Sequence, residues 1–175
     1  MIVIGYQGIG KSTLARTSKG FIDLESSSFY VNGKRPTDWH YYYNRIAENL
    51  SNQGYVVFVS SHIPVRDYFK TSDERAVIIC PSKYLKDEWI QKLRTRYENN
   101  MTEKNLRALR NAEDRYEENI DELIHGGIPS ILIKEMDYSL EDEIRGCILR
   151  NSDIDFHDRQ IWSSMEWKKV TKCPK

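Results

Sequence analysis

Eight residues near the amino terminus carry the densest chemical signal in the chain. Gly5-Tyr6-Gln7-Gly8-Ile9-Gly10-Lys11-Ser12 fits the pattern G-x-x-x-x-G-K-[ST] in full. Each residue type has a separate task in such a loop. Gly5, Gly8 and Gly10 allow a tight backbone curl that turns successive N–H groups, those of Gln7 and Ile9 included, toward an anion. The amino end of the following helix adds its positive dipole end. Lys11 is expected to bridge the outer phosphates of a nucleotide, Ser12 to ligate magnesium, and Thr13 to support an inner phosphate. The expected ligands are therefore ATP and Mg²⁺, with GTP as the alternative donor.

The loop needs a strand before it and a helix after it, and the chain supplies both. Ile2–Ile4 reads as a buried strand, and Lys11–Thr17, with Leu14 and Ala15, reads as a helix. Four further apolar runs, Phe21–Leu24, Tyr55–Ser60, Ala76–Cys80 and Ser130–Ile133, are continuous rather than alternating, as in strands covered on both faces. Helices are expected between them. Thr37–Gln53 places Trp39, Tyr43, Ile46, Ala47 and Leu50 on one face, and Pro64 opens a short helix with Val65, Tyr68 and Phe69. Leu85, Trp89, Leu93 and Tyr97 mark a third helix. Glu103–Ile124 marks a long fourth, closed by Gly126-Gly127, and Ser139 with Asp142 reads as a capping box. Alternating strands and helices predict an α/β fold with a five-stranded, mainly parallel sheet flanked by helices.

Composition bounds the rest. The 175 residues suit one domain, here 1–150, followed by a tail, 151–175, whose Trp162 and Trp167 suggest docking and whose lysines suggest fraying. Lysine plus arginine number 26 and aspartate plus glutamate 26, so the chain is formally neutral. Neutrality weighs against a dedicated nucleic-acid or membrane-surface binder, which needs a sustained positive field. The three scattered cysteines, Cys80, Cys147 and Cys173, suit free thiols in a reducing compartment. No apolar run approaches the roughly 18 residues of a membrane span, and Met1 is followed by Ile2-Val3-Ile4 without a basic leader. A cytoplasmic protein with no membrane partner is expected.

A phosphate loop does not choose among GTPase, ATPase and kinase. No N-K-x-D base-reading motif is present, and the one strand that ends in acids is the second, with Asp23 and Glu25. With its loop at the very start of the chain, the sequence resembles the small nucleoside, nucleotide and metabolite kinases of the P-loop class. The loop matches in full, and the layout matches over about the first 135 residues. The resemblance implies a three-layer P-loop NTPase fold with a helical lid over about 94–104. The implied activity is transfer of the γ-phosphoryl group of ATP to a small acceptor, a (deoxy)nucleoside monophosphate first of all.

By the same resemblance Asp23 orients or deprotonates the acceptor hydroxyl and helps Ser12 hold the metal, Glu25 being a weaker candidate. The bland reading is that Asp23 and Ser26–Ser28 cap a turn. Arg66, past the third strand, matches an acceptor-phosphate arginine. His62 precedes it in Ser60-Ser61-His62, where many relatives have Asp-Gly, and is as readily structural as substrate-binding. Arg94 and Arg96 fall where lid arginines close over the transferring phosphoryl, with Arg107 and Arg110 in reserve; a solvated helix end is the alternative. Tyr30 and Tyr42 are candidates for stacking on a base, and Lys34 and Arg35 offer charge for an acceptor phosphate. Trp39 and Tyr43 read as packing. Two rivals stand beside this reading: a kinase acting on DNA, RNA or a modified base in DNA, and a regulatory P-loop ATPase without an acceptor.

Overall fold

The computed structural model describes residues 1–32 and 34–151, with side chains through 149. The expected tail, including Trp162, Trp167 and Cys173, lies outside the described residues. Among the described residues are five strands and six α-helices, alternating except that α4 and α5 follow one another. The strands are β1 (Ile2–Gly5), β2 (Phe21–Asp23), β3 (Val56–Val59), β4 (Ala76–Pro81) and β5 (Ser130–Ile133). The helices are α1 (Lys11–Thr17), α2 (Trp39–Asn52), α3 (Ile63–Thr71), α4 (Lys86–Asn99), α5 (Glu103–Ile124) and α6 (Leu140–Asn151). The protein is thus α/β, with one fully parallel sheet in the order β2-β3-β1-β4-β5. Backbone packing divides the chain into two compact units, Met1–Tyr138 and Ser139–Lys175. The first holds the whole sheet with α1–α5. The described part of the second holds α6, where the Ser139 hydroxyl accepts the Asp142 N–H at 3.2 Å. No described helix is long and apolar enough to cross a membrane.

Continuous β-branched runs build the central strands because both of their faces are covered. β1 and β3 are buried at every position, and Ile78, Ile79 and Cys80 of β4 are completely buried. Cys80 is a free thiol. The outer strands β2 and β5 are only partly covered, as befits edges. Strand order dictates where a ligand can sit. The chain leaves β1 for the far edge, β2, and then works back across the sheet, so the connections after β1 and β3 diverge. In open parallel sheets that divergence leaves a crevice beyond the carboxyl ends of the strands. Ile4 pairs with Val59, so the Gly5 loop and the Ser60 turn emerge side by side.

The expected core face of α2 fails at Ile46. Ile46 is 42% exposed, whereas Asn44 and Ser51 are buried. The ring sizes explain this: Trp39 and Tyr43 pack against Phe29 and turn α2 so that Ala47 and Asn44, not the larger Ile46, meet the sheet. On α5, likewise, Asn105 and Ala112 are buried along with Leu109, Tyr116, Ile120 and Leu123.

Tyr43 is more than packing. Its hydroxyl donates to the Leu24 carbonyl at 2.7 Å and accepts the Ser60 N–H at 2.8 Å, joining the ends of β2 and β3. Tyr43→Phe is therefore expected to destabilise the fold by about 1–3 kcal/mol, because both backbone groups lose their partner. Urea unfolding measures this, and an unchanged midpoint would show the tie to be dispensable.

Candidate functional site

The loop between β1 and α1 sorts its own polar groups by type. Gly8 and Gly10 adopt φ of 85° and 97°, the left-handed region that only glycine enters without cost. Lys11 folds back so that its ammonium donates to the carbonyls of Gly5 (2.8 Å) and Tyr6 (3.0 Å). The Gln7 carbonyl accepts from Trp89 Nε1 at 3.0 Å, the Ile9 carbonyl from the Tyr138 hydroxyl at 2.9 Å, and the Gly10 carbonyl from Thr13 and Leu14. By contrast, among the described residues the N–H groups of residues 7–12 find no hydrogen-bond partner. With the carbonyls of Gly5, Tyr6, Gln7, Ile9 and Gly10 engaged and the amides of residues 7–12 open, the loop has the polarity an anion requires.

The loop opens onto a cleft of about 1050 Å³ bounded by the ends of β1, β2 and β3, the start of α3 and one side of α5. Pockets for a single drug-sized ligand run to about 1,000 Å³, so this one has room beyond a triphosphate. Ser12 hydrogen-bonds Asp23 across the cleft floor. Glu25 pairs with Lys104 of α5, and the Ser27 hydroxyl also donates to Glu25 at 3.3 Å. Burial works to raise the Glu25 carboxyl, yet Lys104 and Ser27 hold it below its usual range. Ser12 and Asp23 present adjacent hard oxygens, the donor type magnesium takes from protein while phosphates and water fill its other positions. Among the described residues no three His, Cys, Asp or Glu side chains gather into a metal cage.

The far wall is built around Arg35. Its guanidinium lies 4.7 Å from the Tyr30 ring centre and 4.4 Å from that of Trp39. It donates to Ser26 Oγ and to His62 Nε2, each at 2.9 Å. Burial and the Arg35 charge lower the His62 pKa, so His62 stays neutral and accepts from the arginine. Arg35 Nε is buried with no hydrogen-bond partner among the described residues.

Not every expected residue reaches the cleft. The loop residues, Asp23, His62, Tyr30, Arg66 and Arg96 line it; Arg94 and Tyr42 do not. Arg94 is drawn off by Glu113 at 2.8 Å, a neighbour supplied by α5. Tyr42 is exposed, edge-on to Tyr41. Arg66 borders the cleft but is already committed to the backbone carbonyl and carboxylate of Glu122, at 2.9 and 3.1 Å. Residues 94–104, where the resemblance implies a lid, form the end of α4, a turn at 100–102 and the start of α5. Just beyond that junction α5 is tied to the loop, since Gln7 Nε2 donates to the Ala108 carbonyl at 2.8 Å.

Lys104 and Lys92 line the cleft without having been singled out from sequence. A signal for Lys104 existed. A cation in the first turn of a helix opposes the helix dipole, so Lys104, two residues past the Thr102 N-cap, had to find its partner elsewhere. Nothing in the spacing marked Lys92. No family model, curated protein or solved structure matches this chain.

Burial pushes the Lys11 ammonium down to about 8, with Asp23 and Glu25 only partly compensating. An anion bound at the loop restores the ordinary value, so binding takes up a proton above pH 8. Affinity for sulfate, an anion whose own charge is constant over this range, is expected to be flat below pH 8 and to fall roughly tenfold by pH 9 when measured calorimetrically. A flat profile to pH 9.5 would remove Lys11 from the anion site.

Proposed function

We propose that this protein is a magnesium-dependent P-loop phosphotransferase that moves the γ-phosphoryl group of ATP onto a (deoxy)nucleoside monophosphate. The observation that carries the reading is the loop itself, its carbonyls held by protein and its amides open, facing Ser12 and Asp23 in a cleft with space for a second molecule. The parallel sheet, with this loop after the central strand, suits the three-layer P-loop NTPase class, and the α4–α5 junction suits its lid.

The loop amides and Lys11 hold the β- and γ-phosphates. Lys11 gives up the Gly5 and Tyr6 carbonyls to do so. Magnesium, when bound, neutralises phosphate oxygens, and Ser12 and Asp23 are the residues that would hold it. Asp23 orients the accepting phosphate oxygen of the monophosphate and takes its proton when that oxygen carries one. The acceptor oxygen bonds to the γ-phosphorus, the bond from that phosphorus to the bridging oxygen breaks, and ADP leaves with the electron pair. Arg96 and Lys104 offer positive charge to the equatorial oxygens. Arg35, whose partners Ser26 and His62 are neutral, is better placed to meet an acceptor phosphate than Arg66, whose charge is already paired with Glu122.

One observation favours a nucleic-acid strand as acceptor. In this neutral chain the cleft is lined by nine lysine or arginine side chains and three carboxylates. For an oligonucleotide seated there, log K against log salt is expected to slope at about −2 or steeper, three or more phosphates being neutralised. A shallow slope favours the mononucleotide.

Asp23→Asn is expected to lower kcat for transfer by roughly 10²–10⁴-fold while changing ATP affinity far less, as read from coupled kinetics and calorimetry. Phosphate release that needs no acceptor and is undiminished in this variant would instead identify a regulatory ATPase.

A further inference from the structure

Trp89 and Tyr138 stand behind the phosphate loop. Trp89 belongs to α4, and Tyr138 follows β5; neither ring lines the cleft. Their rings stack, 6.1 Å apart and 20° from parallel, with the Lys92 ammonium 4.3 and 4.9 Å from the two ring centres. Lys92 also donates to the Tyr138 hydroxyl at 3.2 Å. The hydroxyl proton is thereby left for the Ile9 carbonyl, while the indole N–H takes that of Gln7.

A trans peptide is planar, and its C=O and N–H point in opposite directions. A donor that pulls the Gln7 carbonyl backward therefore aims the Gly8 N–H forward, and one that pulls the Ile9 carbonyl backward aims the Gly10 N–H forward. Glycine is otherwise the residue least able to hold one orientation, because it populates positive and negative φ about equally. At Gly8 and Gly10 the loop gains tight curvature but loses intrinsic direction. The two aromatic donors restore it from outside.

Resting on the phosphate-loop reading above, we propose that Trp89 and Tyr138 are positioning residues for phosphate binding: by holding the Gln7 and Ile9 carbonyls they aim the Gly8 and Gly10 amides into the cleft before an anion arrives. Neither touches the ligand. The gain is preorganisation, since the peptide planes need no reorientation when the phosphate binds. Burial raises the Tyr138 pKa, so the phenol remains a neutral donor across the working pH range. Lys92, half-buried against both rings, ties the stack to the cleft wall that it also lines.

The test uses inorganic pyrophosphate with the full chain and follows backbone amide shifts. Tyr138→Phe removes one hydroxyl and little volume. It is expected to weaken pyrophosphate binding about fivefold, the worth of one hydrogen bond, and to diminish the Gly10 amide response while sparing Gly8. Trp89→Phe is expected to do the reverse. If Trp89→Phe does not fold, the Tyr138→Phe arm decides alone. Unchanged affinity in Tyr138→Phe, or weakened affinity with the Gly10 response intact, overturns the proposal while leaving the phosphate loop standing. A wild-type protein that does not bind pyrophosphate at all overturns the loop reading itself.

Discussion

The segregation of backbone polarity in residues 5–12 is the constraint on which the rest of this structure turns. A loop this tight cannot satisfy its own carbonyls and amides together, because short-range pairing would demand a helix or a ladder. Here the carbonyls of Gly5, Tyr6, Gln7 and Ile9 are satisfied by three side chains, Lys11 in the loop's own wake, Trp89 on α4 and Tyr138 after β5, and that of Gly10 by the first amides to close in α1. Among the described residues the amides of residues 7–12 have no hydrogen-bond partner. Successive amides aimed into one cleft form a concavity of partial positive charge, and an anion is the ligand that satisfies them together.

That arrangement gives the surrounding elements a second duty. α4 packs against α5 and α5 against β4, with Trp89, Leu93, Leu109 and Tyr116 buried, which is ordinary core formation. The same two helices also meet at Gln7, whose backbone accepts from α4 and whose side chain donates to α5. The wall that carries Arg96, Lys104 and Arg107 is thus referenced to the loop by hydrogen bonds, not by chain proximity. Net charge follows the same logic. The chain totals zero, yet folding gathers an excess of cations about one cleft and leaves the acids of α5 largely on its outer side. A whole-chain sum is blind to that, because the field a ligand feels depends on where charges are placed.

Much of the architecture was legible in advance for a physical reason: continuous β-branched runs and 3.6-residue periodicity are local properties. Lys11–Thr17, Glu103–Ile124 and Ser130–Ile133 fall where the pattern puts them. Ile46 does not reach the core, because the bulk of Trp39 and Tyr43 sets the helix rotation and a periodic pattern carries no information about ring size. The arginines divide similarly. Arg96 and Arg94 are two residues apart on α4, yet one lines the cleft and the other pairs with Glu113. Arg66 holds the right position past β3 but has Glu122 for company, 56 residues away in sequence.

By itself, the sequence determined the loop, the parallel α/β order and the acid at the end of β2, since glycine placement, hydrophobic runs and strand-end residues act over a few neighbouring positions. Only the tertiary structure decided which cations face the cleft, that Arg35 rests between Tyr30 and Trp39 with His62 at its edge, and that Trp89 and Tyr138 hold the loop from behind. Each of these depends on partners tens of residues apart. Their pairing is set by the packing of whole elements, and a side chain's charge or hydrogen-bonding capacity does not name the partner it will find.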